Sequence, residues 1–306
     1  MGGRTLVLWD VDHTLMETGG VGAELFRCAF EQATGSPLEQ EVTVTGRTEP
    51  AIFREAAERQ SIEWSPELFD RYALVLARAY REQAGEMMRR GRALPGAAEA
   101  VAALGKADTV VQSVLSGNLR PVAEVKLETF GLDAGLDLDV GAYGSDDTVR
   151  SRLVRIAQRR AGSKYQASFD TQTTVLVGDT PADVQAGHEG GARVVAVASG
   201  RNTADELSQA GAEVVLLDLQ HRPRRRPRPR PRHPRRRHRN RPPRRPAHRH
   251  PRRRRSTRPP HRPAPALRPP RHHHHHPDTT RRITTHPARG TSRGTETNPA
   301  SMKVPC

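Results

Sequence analysis

The chain has 306 residues and a formal net charge of +16, but the charge is distributed unevenly. Residues 1–220 hold 22 Lys and Arg against 32 Asp and Glu, whereas residues 221–306 hold 28 against 2. The first part has enough apolar side chains for a sizeable core, while the second has too few to offset the entropy of ordering. There is neither an apolar run of membrane-spanning length nor a basic and apolar leader, so we expect a cytoplasmic protein.

Short apolar runs predict the strands of a parallel sheet. They occur at 5–9, 109–115, 173–177, 192–198 and 213–217, and helical patterns at 121–130, 151–161 and 183–189 lie between them. This alternation predicts an α/β fold, a Rossmann-like doubly wound parallel sheet, built from residues 1–15 and 93–219. Ligands of such a sheet bind at the carboxyl ends of its strands.

The segment 16–92 interrupts this alternation. It shows no strand pattern, and its apolar spacing predicts amphipathic helices at 21–33, 49–59 and 66–90. We therefore expect an inserted α-helical cap that covers the strand ends.

Two carboxylates follow the first predicted strand, Asp10 and Asp12 in the sequence WDVDHTL. Side chains two residues apart at a strand end point to the same side. One carboxylate could attack phosphorus while the other acts as a general acid and base. A pair of turn-forming aspartates would give the same pattern.

Ser116, Gly117 and Asn118 close the next long strand in the sequence VLSGN, directly before a predicted helix. A hydroxyl group and backbone N–H groups at a helix start can bind a phosphate. The alternative is that Ser116 or Asn118 serves only as a helix N-cap.

A third group of polar residues, Asp179 and Asp183 in VGDTPADV, follows the strand at 173–177. The predicted fold would bring Asp179 beside Asp10, where both could bind magnesium, and Asp183 lies one helical turn further on. An aspartate at a helix start also has a purely structural use as a cap.

The three sequences together resemble motifs I, II and IV of the haloacid dehalogenase superfamily. The resemblance covers residues 4–218, and the helical insertion resembles the cap of the phosphoglycolate phosphatase-like and phosphoglucomutase-like members. It implies that Asp10 is a nucleophile that forms an aspartyl-phosphate, that Asp12 is the general acid and base, and that Ser116 binds phosphate. An acid at position 12 favours phosphoryl transfer over dehalogenation.

The resemblance also implies a Mg²⁺ ion. Its ligands would be Asp10, the backbone carbonyl of Asp12, and Asp179, with Asp183 nearby.

A basic residue that binds the phosphate is expected between motifs II and IV, and here the sequence departs from the family pattern, which usually has a lysine. Arg150 follows a predicted strand and opens a helix, so its forked donors could supply the charge. Lys126 is the alternative, although it lies about two turns into a helix, where a solvated position is expected.

In the predicted cap, Gly46-Arg47-Thr48 forms a turn between two helices. Cap turns of this kind in similar proteins face the substrate, so Arg47 could pair with a substrate carboxylate and determine specificity. An ordinary exposed arginine is the alternative.

The motifs and the family resemblance together predict a magnesium-dependent phosphatase that hydrolyses a small phosphomonoester, and the resemblance implies a phosphoglycolate-like substrate. One alternative is a phosphosugar mutase of the same fold. The other is a nucleic-acid-binding protein that acts through its basic tail.

The segment 220–306 is rich in Arg, Pro and His and is predicted to be a disordered tail. Its charge would support non-specific, salt-dependent contact with nucleic acid, although it lacks interleaved aromatic residues that stack on bases. Translation of GC-rich DNA in another frame would give a similar composition.

Overall fold

The computed structural model describes residues 3–220, which form eight strands and nine helices. The strands are β1 (Thr5–Trp9), β2 (Met16–Glu17), β3 (Arg92–Ala93), β4 (Val110–Ser116), β5 (Ala142–Tyr143), β6 (Thr174–Gly178), β7 (Arg193–Val197) and β8 (Val214–Leu216). The helices are α1 (Val21–Thr34), α2 (Glu49–Arg59), α3 (Pro66–Glu82), α4 (Ala84–Arg90), α5 (Ala97–Leu104), α6 (Arg120–Thr129), α7 (Arg150–Tyr165), α8 (Pro181–Gly190) and α9 (Ala204–Gln209). The predicted tail lies, from residue 221 onward, outside the described residues.

Six strands form one parallel sheet in the order β5-β4-β1-β6-β7-β8. The predicted doubly wound sheet is confirmed, and each of its five predicted strands agrees with the structure to within one residue at either end. β1 lies in the middle, between β4 and β6. The polar residues that follow β1, β4 and β6 therefore meet at one edge of the sheet.

Both faces of the central strand are buried, which explains its continuous apolar sequence. Leu6 and Leu8 pack on one face of the sheet, whereas Val7 and Trp9 point to the other. The alternation of side chains along a strand supplies both faces, and helices cover both, as expected for a parallel sheet.

Helices α1 to α4 lie between two short strands, β2 and β3, that pair antiparallel, with Met16 opposite Ala93 and Glu17 opposite Arg92. The sequence predicted no strand here, because two-residue strands are too short to show a periodic pattern. The single helix predicted at 66–90 is divided into α3 and α4 at Gln83, which has a non-helical backbone (φ −102°, ψ 14°).

The inserted helices have an aromatic core in which the ring centroids of Phe53 and Tyr72 lie 4.4 Å apart and those of Phe30 and Phe53 lie 5.6 Å apart. This cluster is continuous with Val7 and Trp9 of the sheet. The inserted helices and the sheet belong to one compact unit. None of the helices among residues 3–220 combines the length and hydropathy needed to cross a bilayer.

Candidate active site

A cavity of about 760 Å³ lies where the carboxyl ends of β1, β4 and β6 face the inserted helices. Asp10, Ser116 and Asp179 line it from the sheet, and Phe26 of α1 and Tyr80 of α3 line it from the helices. The residues singled out in the three sequence motifs therefore share one cavity with the predicted cap.

Three buried carboxylates converge at the base of this cavity. Asp10, Asp179 and Asp183 each place a carboxylate oxygen within 4.8 Å of the others. Asp10 follows β1 directly, and its backbone N–H donates to the carbonyl of Val177 at 2.8 Å, which continues the pairing of β1 with β6. Sheet pairing thus fixes the distance between the first and third motifs.

Arg150, at the start of α7, is the cation within this cluster. Its Nη2 donates to Oδ1 of Asp10 at 2.6 Å and to Oδ1 of Asp183 at 2.5 Å, and its Nε donates to the same Asp183 oxygen at 2.9 Å. All three side chains are almost completely buried. The predicted basic residue thus contacts the predicted nucleophile.

One arginine does not balance three buried carboxylates. Burial, together with the nearby Asp183 carboxylate, raises the pKa of Asp10, and Arg150 offsets only part of this effect. Burial and the Asp10 carboxylate likewise raise the pKa of Asp179. A second cation at this point would stabilise the ionised forms.

Asp183 has a structural use as well. Its Oδ2 accepts from the Thr180 backbone N–H at 3.1 Å, and the Thr180 Oγ1 accepts from the Asp183 backbone N–H at 3.1 Å, so the two residues form a capping box at the start of α8. The capping use that the sequence left open therefore occurs together with the contact to Arg150.

Thr14, which the sequence analysis did not single out, is fully buried between two acids of the cluster. Its hydroxyl lies 3.4 Å from Oδ2 of Asp10 and 3.3 Å from Oδ1 of Asp179. In the sequence Thr14 resembles an ordinary turn residue after Asp10, so nothing indicated that it contacts the acids.

The side chain of Asp12 turns away from the three acids and lies in a separate polar group. Both of its oxygens are 2.8 Å from Nζ of Lys126, and the Asn118 side-chain amide donates to Oδ2 at 2.7 Å. The same amide donates to Oγ of Ser116 at 2.7 Å. The predicted phosphate-binding loop and the predicted acid and base are therefore linked by hydrogen bonds.

The expectation that Lys126 faces solvent was wrong, since the residue is only 3% exposed. Its Nζ lies 5.2 Å from the ring centroid of Tyr80, in addition to its bonds to Asp12 and Asn118. Burial opposes its charge, but Asp12, Tyr80 and Glu49 together outweigh burial and raise the pKa of Lys126. Burial likewise opposes the charge of Asp12, yet Lys126 and the hydrogen bond from Asn118 lower its pKa. Both basic candidates thus lie in the site, each paired with a different aspartate.

Arg47 lines the cavity, but its guanidinium is already bonded. It forms an ion pair with Glu55 of α2 and donates to the carbonyls of Thr43 and Ala51 at 3.1 Å each. The predicted pairing with a substrate carboxylate remains a prediction, and it would require this group to exchange partners.

The turn that contains Arg47 also packs on the core loops. The Glu49 N–H donates to the carbonyl of Gly117 at 2.8 Å, and the Thr48 hydroxyl donates to the carbonyl of Thr148 at 3.1 Å. Gly117 must be glycine here, since a Cβ would lie 2.0 Å from the Arg47 carbonyl oxygen. The predicted cap is closed against the phosphate-binding loop.

Glu49 is a cavity residue that sequence reasoning missed. It sits in the first turn of α2, lines the cavity, and accepts a hydrogen bond from the Tyr72 hydroxyl of α3. Burial raises its pKa, whereas Tyr72 and Lys126 act in the opposite direction. In the sequence Glu49 could not be distinguished from an acid that only stabilises the N-terminus of a helix.

The haloacid dehalogenase-like hydrolase family model matches residues 7–188, more than half of the chain. The chain belongs to this family. The resemblance found in the three motifs is thereby confirmed, and the protein is a hydrolase of the haloacid dehalogenase type. No curated protein sequence matches the chain.

Solved structures of the family have a similar fold. A hydrolase from Pseudomonas syringae is 21% identical, with a TM-score of 0.51 over 71% of this chain and 94% of that one. A predicted phosphoglycolate phosphatase from Haemophilus somnus is 19% identical, with a TM-score of 0.51 over 72% and 96% of the two chains. A candidate β-phosphoglucomutase from Bacteroides vulgatus is 17% identical, with a TM-score of 0.52 over 71% and 85%.

Proposed function

We propose that this member of the haloacid dehalogenase family is a magnesium-dependent phosphatase that hydrolyses a small phosphomonoester. The observation that carries the proposal is the buried group of Asp10, Asp179 and Asp183, whose oxygens lie within 4.8 Å of one another at the base of the cavity. Phosphoglycolate-like compounds are the substrate class that the family resemblance suggests, and a cavity of about 760 Å³ has room for them.

The donor set suits magnesium. Asp10, Asp179 and Asp183 provide oxygen ligands, which Mg²⁺ prefers, and the backbone carbonyl of Asp12 would complete the protein's share. When all three acids are ionised, Arg150 balances one of their negative charges and two remain, which matches the charge of one Mg²⁺ ion. When bound, Mg²⁺ supplies positive charge that lets an anionic phosphate approach a carboxylate.

Asp10 is the proposed nucleophile. Its Oδ1 is held by Arg150 at 2.6 Å, while Oδ2 meets only the Thr14 hydroxyl, at 3.4 Å, among residues 3–220. Attack of this carboxylate on phosphorus would form an aspartyl-phosphate and release the alcohol of the substrate. Arg150 and Ser116 lie where they can bind the phosphate oxygens during transfer.

Asp12 is the proposed acid and base. Lys126 favours its carboxylate form, which is the form that accepts a proton from the water that hydrolyses the aspartyl-phosphate. The proton can then pass to the leaving oxygen of the next substrate. The closed cap limits the access of bulk water to these steps.

Hydrolysis of p-nitrophenyl phosphate by the full chain, with Mg²⁺ or with EDTA, tests the proposal. We expect Mg²⁺-dependent release of phosphate, and a loss of at least about 1,000-fold in kcat for Asp10→Asn, which keeps the size of the side chain. Asp108→Asn is the matched control, because Asp108 is exposed at the opposite, amino-terminal edge of the sheet. Retained turnover in Asp10→Asn, or turnover that is equal in EDTA, would contradict the proposal.

A further inference from the structure

The inserted helices present an acid to the cavity that the phosphatase mechanism does not use. Glu49 accepts a hydrogen bond from Tyr72 through Oε1, and its Oε2 has no hydrogen-bond donor among residues 3–220. Glu49 lines the cavity, and a carboxylate oxygen can accept more than one hydrogen bond, so Oε2 has acceptor capacity to offer there. A ligand group in the cavity can supply the missing donor.

Glu49 lies close to the leaving-group side of the reaction. The Glu49 backbone N–H donates to the carbonyl of Gly117 at 2.8 Å. Asn118, which follows Gly117, donates through its side-chain amide to the Asp12 carboxylate at 2.7 Å. Asp12 must reach the leaving oxygen in order to protonate it. The part of the substrate attached to that oxygen therefore occupies the space that Asp12 and Glu49 share.

The cations on the same side of the cavity are already paired. Arg47 binds Glu55, and Arg27 lies 3.6 Å from Glu41. Lys126 is occupied by both oxygens of Asp12. Among residues 3–220 Glu49 thus has no ion pair of its own, although the positive charge of Lys126 still acts on its carboxylate.

We propose that Glu49 determines specificity by accepting a hydrogen bond from a hydroxyl or ammonium group next to the phosphoester, and that it disfavours a carboxylate there. This inference rests on the proposed phosphatase function, and it replaces the phosphoglycolate-like substrate that the family resemblance suggests with one that carries a hydrogen-bond donor. A hydroxyl or ammonium group would complete the coordination of Oε2. A carboxylate, as in phosphoglycolate, would be brought against another acid, which weakens binding.

Arg201 provides the opposing expectation. It lines the cavity from the loop after β7, is exposed, and has no ion-pair partner among the described residues. A substrate carboxylate bound there would be favoured rather than excluded. Glu49 therefore predicts a preference for a hydroxyl or ammonium group over a carboxylate, and Arg201 predicts the reverse.

Four phosphomonoesters with a two-carbon alcohol separate these expectations: 2-hydroxyethyl phosphate, phosphoethanolamine, phosphoglycolate and ethyl phosphate as the reference. They differ only in the group at the second carbon. With the full chain and Mg²⁺, we expect kcat/KM for the hydroxyl and ammonium compounds to exceed that for phosphoglycolate by about 10- to 100-fold. Comparison of kcat/KM for 2-hydroxyethyl phosphate and phosphoethanolamine shows whether Glu49 prefers a hydroxyl or an ammonium donor.

Glu49→Gln keeps the size of the side chain and an acceptor for Tyr72 but removes the negative charge. We expect it to lower the ratio of kcat/KM for phosphoethanolamine over phosphoglycolate by about tenfold or more. Glu58→Gln is the matched control, because Glu58 lies in the same helix but is exposed and outside the cavity lining, and we expect this ratio to stay unchanged in it.

A wild-type preference for phosphoglycolate, or an unchanged ratio in Glu49→Gln, overturns the inference. If p-nitrophenyl phosphate is still hydrolysed in that case, the phosphatase function stands by itself. If the wild-type chain hydrolyses no phosphomonoester, both proposals fail. Should Glu49→Gln not fold, the order of the wild-type kcat/KM values for the four phosphomonoesters still tests the inference.

Discussion

The two walls of the cavity, the strand ends below and the inserted helices above, both carry many charges but arrange them differently. On the strand side, Asp10, Asp179 and Asp183 share one arginine, Arg150, so negative charge is left over. On the helix side, Arg47 and other cations are paired with acids of the same segment. The difference supports both proposals, an ion bound on the strand side and hydrogen bonds from the helix side to the organic part of a substrate.

The physical reason lies in the backbone. Parallel strands end at one edge of the sheet, where neighbouring strands are about 5 Å apart, so acids that follow them are held close against their repulsion. Side chains on helices have more freedom to turn toward an opposite charge one turn away, as in the pair of Arg59 with Glu55. Closely spaced like charges are therefore a property of the strand side.

The largest expected effect on this comparison comes from Gly200→Ala. A Cβ at this position would lie 1.8 Å from Oδ2 of Asp179 and 3.1 Å from the His13 Cβ, so the Asp179 carboxylate must leave its place in the acidic cluster. We expect Mg²⁺-dependent kcat/KM to fall about 100-fold, with a weaker apparent affinity for Mg²⁺, in titrations of activity against Mg²⁺ concentration.

Gly85→Ala is the control for this substitution. Gly85 lies in α4, and a Cβ there meets no atom within 4 Å, so Ala should leave Mg²⁺ dependence unchanged and stabilise the helix by about 0.5–1 kcal/mol. An unaltered Mg²⁺ requirement in Gly200→Ala would show that Asp179 does not bind the metal.

An intermediate effect is expected from removing the cations of the site. Arg150→Met leaves two fully buried carboxylates without their partner, so the free energy of unfolding in EDTA should fall by about 3–5 kcal/mol. Mg²⁺ should restore part of this loss, because binding to the folded protein stabilises it. Urea unfolding of the full chain with and without Mg²⁺ measures both quantities.

Lys126→Met is the matched variant. The Asp12 side chain is 37% exposed and can recover some hydration when its partner is removed, so the loss should be smaller, about 1–2 kcal/mol. We therefore expect Arg150→Met to lose more free energy of unfolding than Lys126→Met. The reverse order would contradict the view that excess charge is concentrated around Asp10.

The smallest effect is expected where the helix side touches the core. Thr48 is buried and donates one hydrogen bond, of 3.1 Å, to the carbonyl of Thr148, so Thr48→Val should cost about 1 kcal/mol of unfolding free energy. A rise of a few-fold in KM should accompany it, as cap closure becomes less favourable. Thr109→Val, at an exposed site before β4, should change neither value, and equal effects of the two variants would argue against this docking contact.

Much of the fold could be predicted because both faces of the sheet are buried. The apolar run from Thr5 to Trp9 is an unusually clear signal, since each residue from Leu6 to Trp9 packs in one of two cores. The inserted helices at Val21 and Glu49 were also predicted at their first residues. Met16–Glu17 and Arg92–Ala93 could not be predicted, because they become strands only by pairing with each other.

The sequence by itself determined that Asp10, Ser116 and Asp179 lie at the carboxyl ends of parallel strands, since local apolar patterns mark where each strand ends and the alternation with helices indicates a parallel sheet. Only the tertiary structure decided that Lys126 is buried against Asp12, that Arg47 is bound by Glu55, and that Glu49 faces the cavity. Each of these depends on which side chain from a distant element completes a hydrogen bond or an ion pair. Such a choice depends on distances across the folded chain, which a local pattern does not contain.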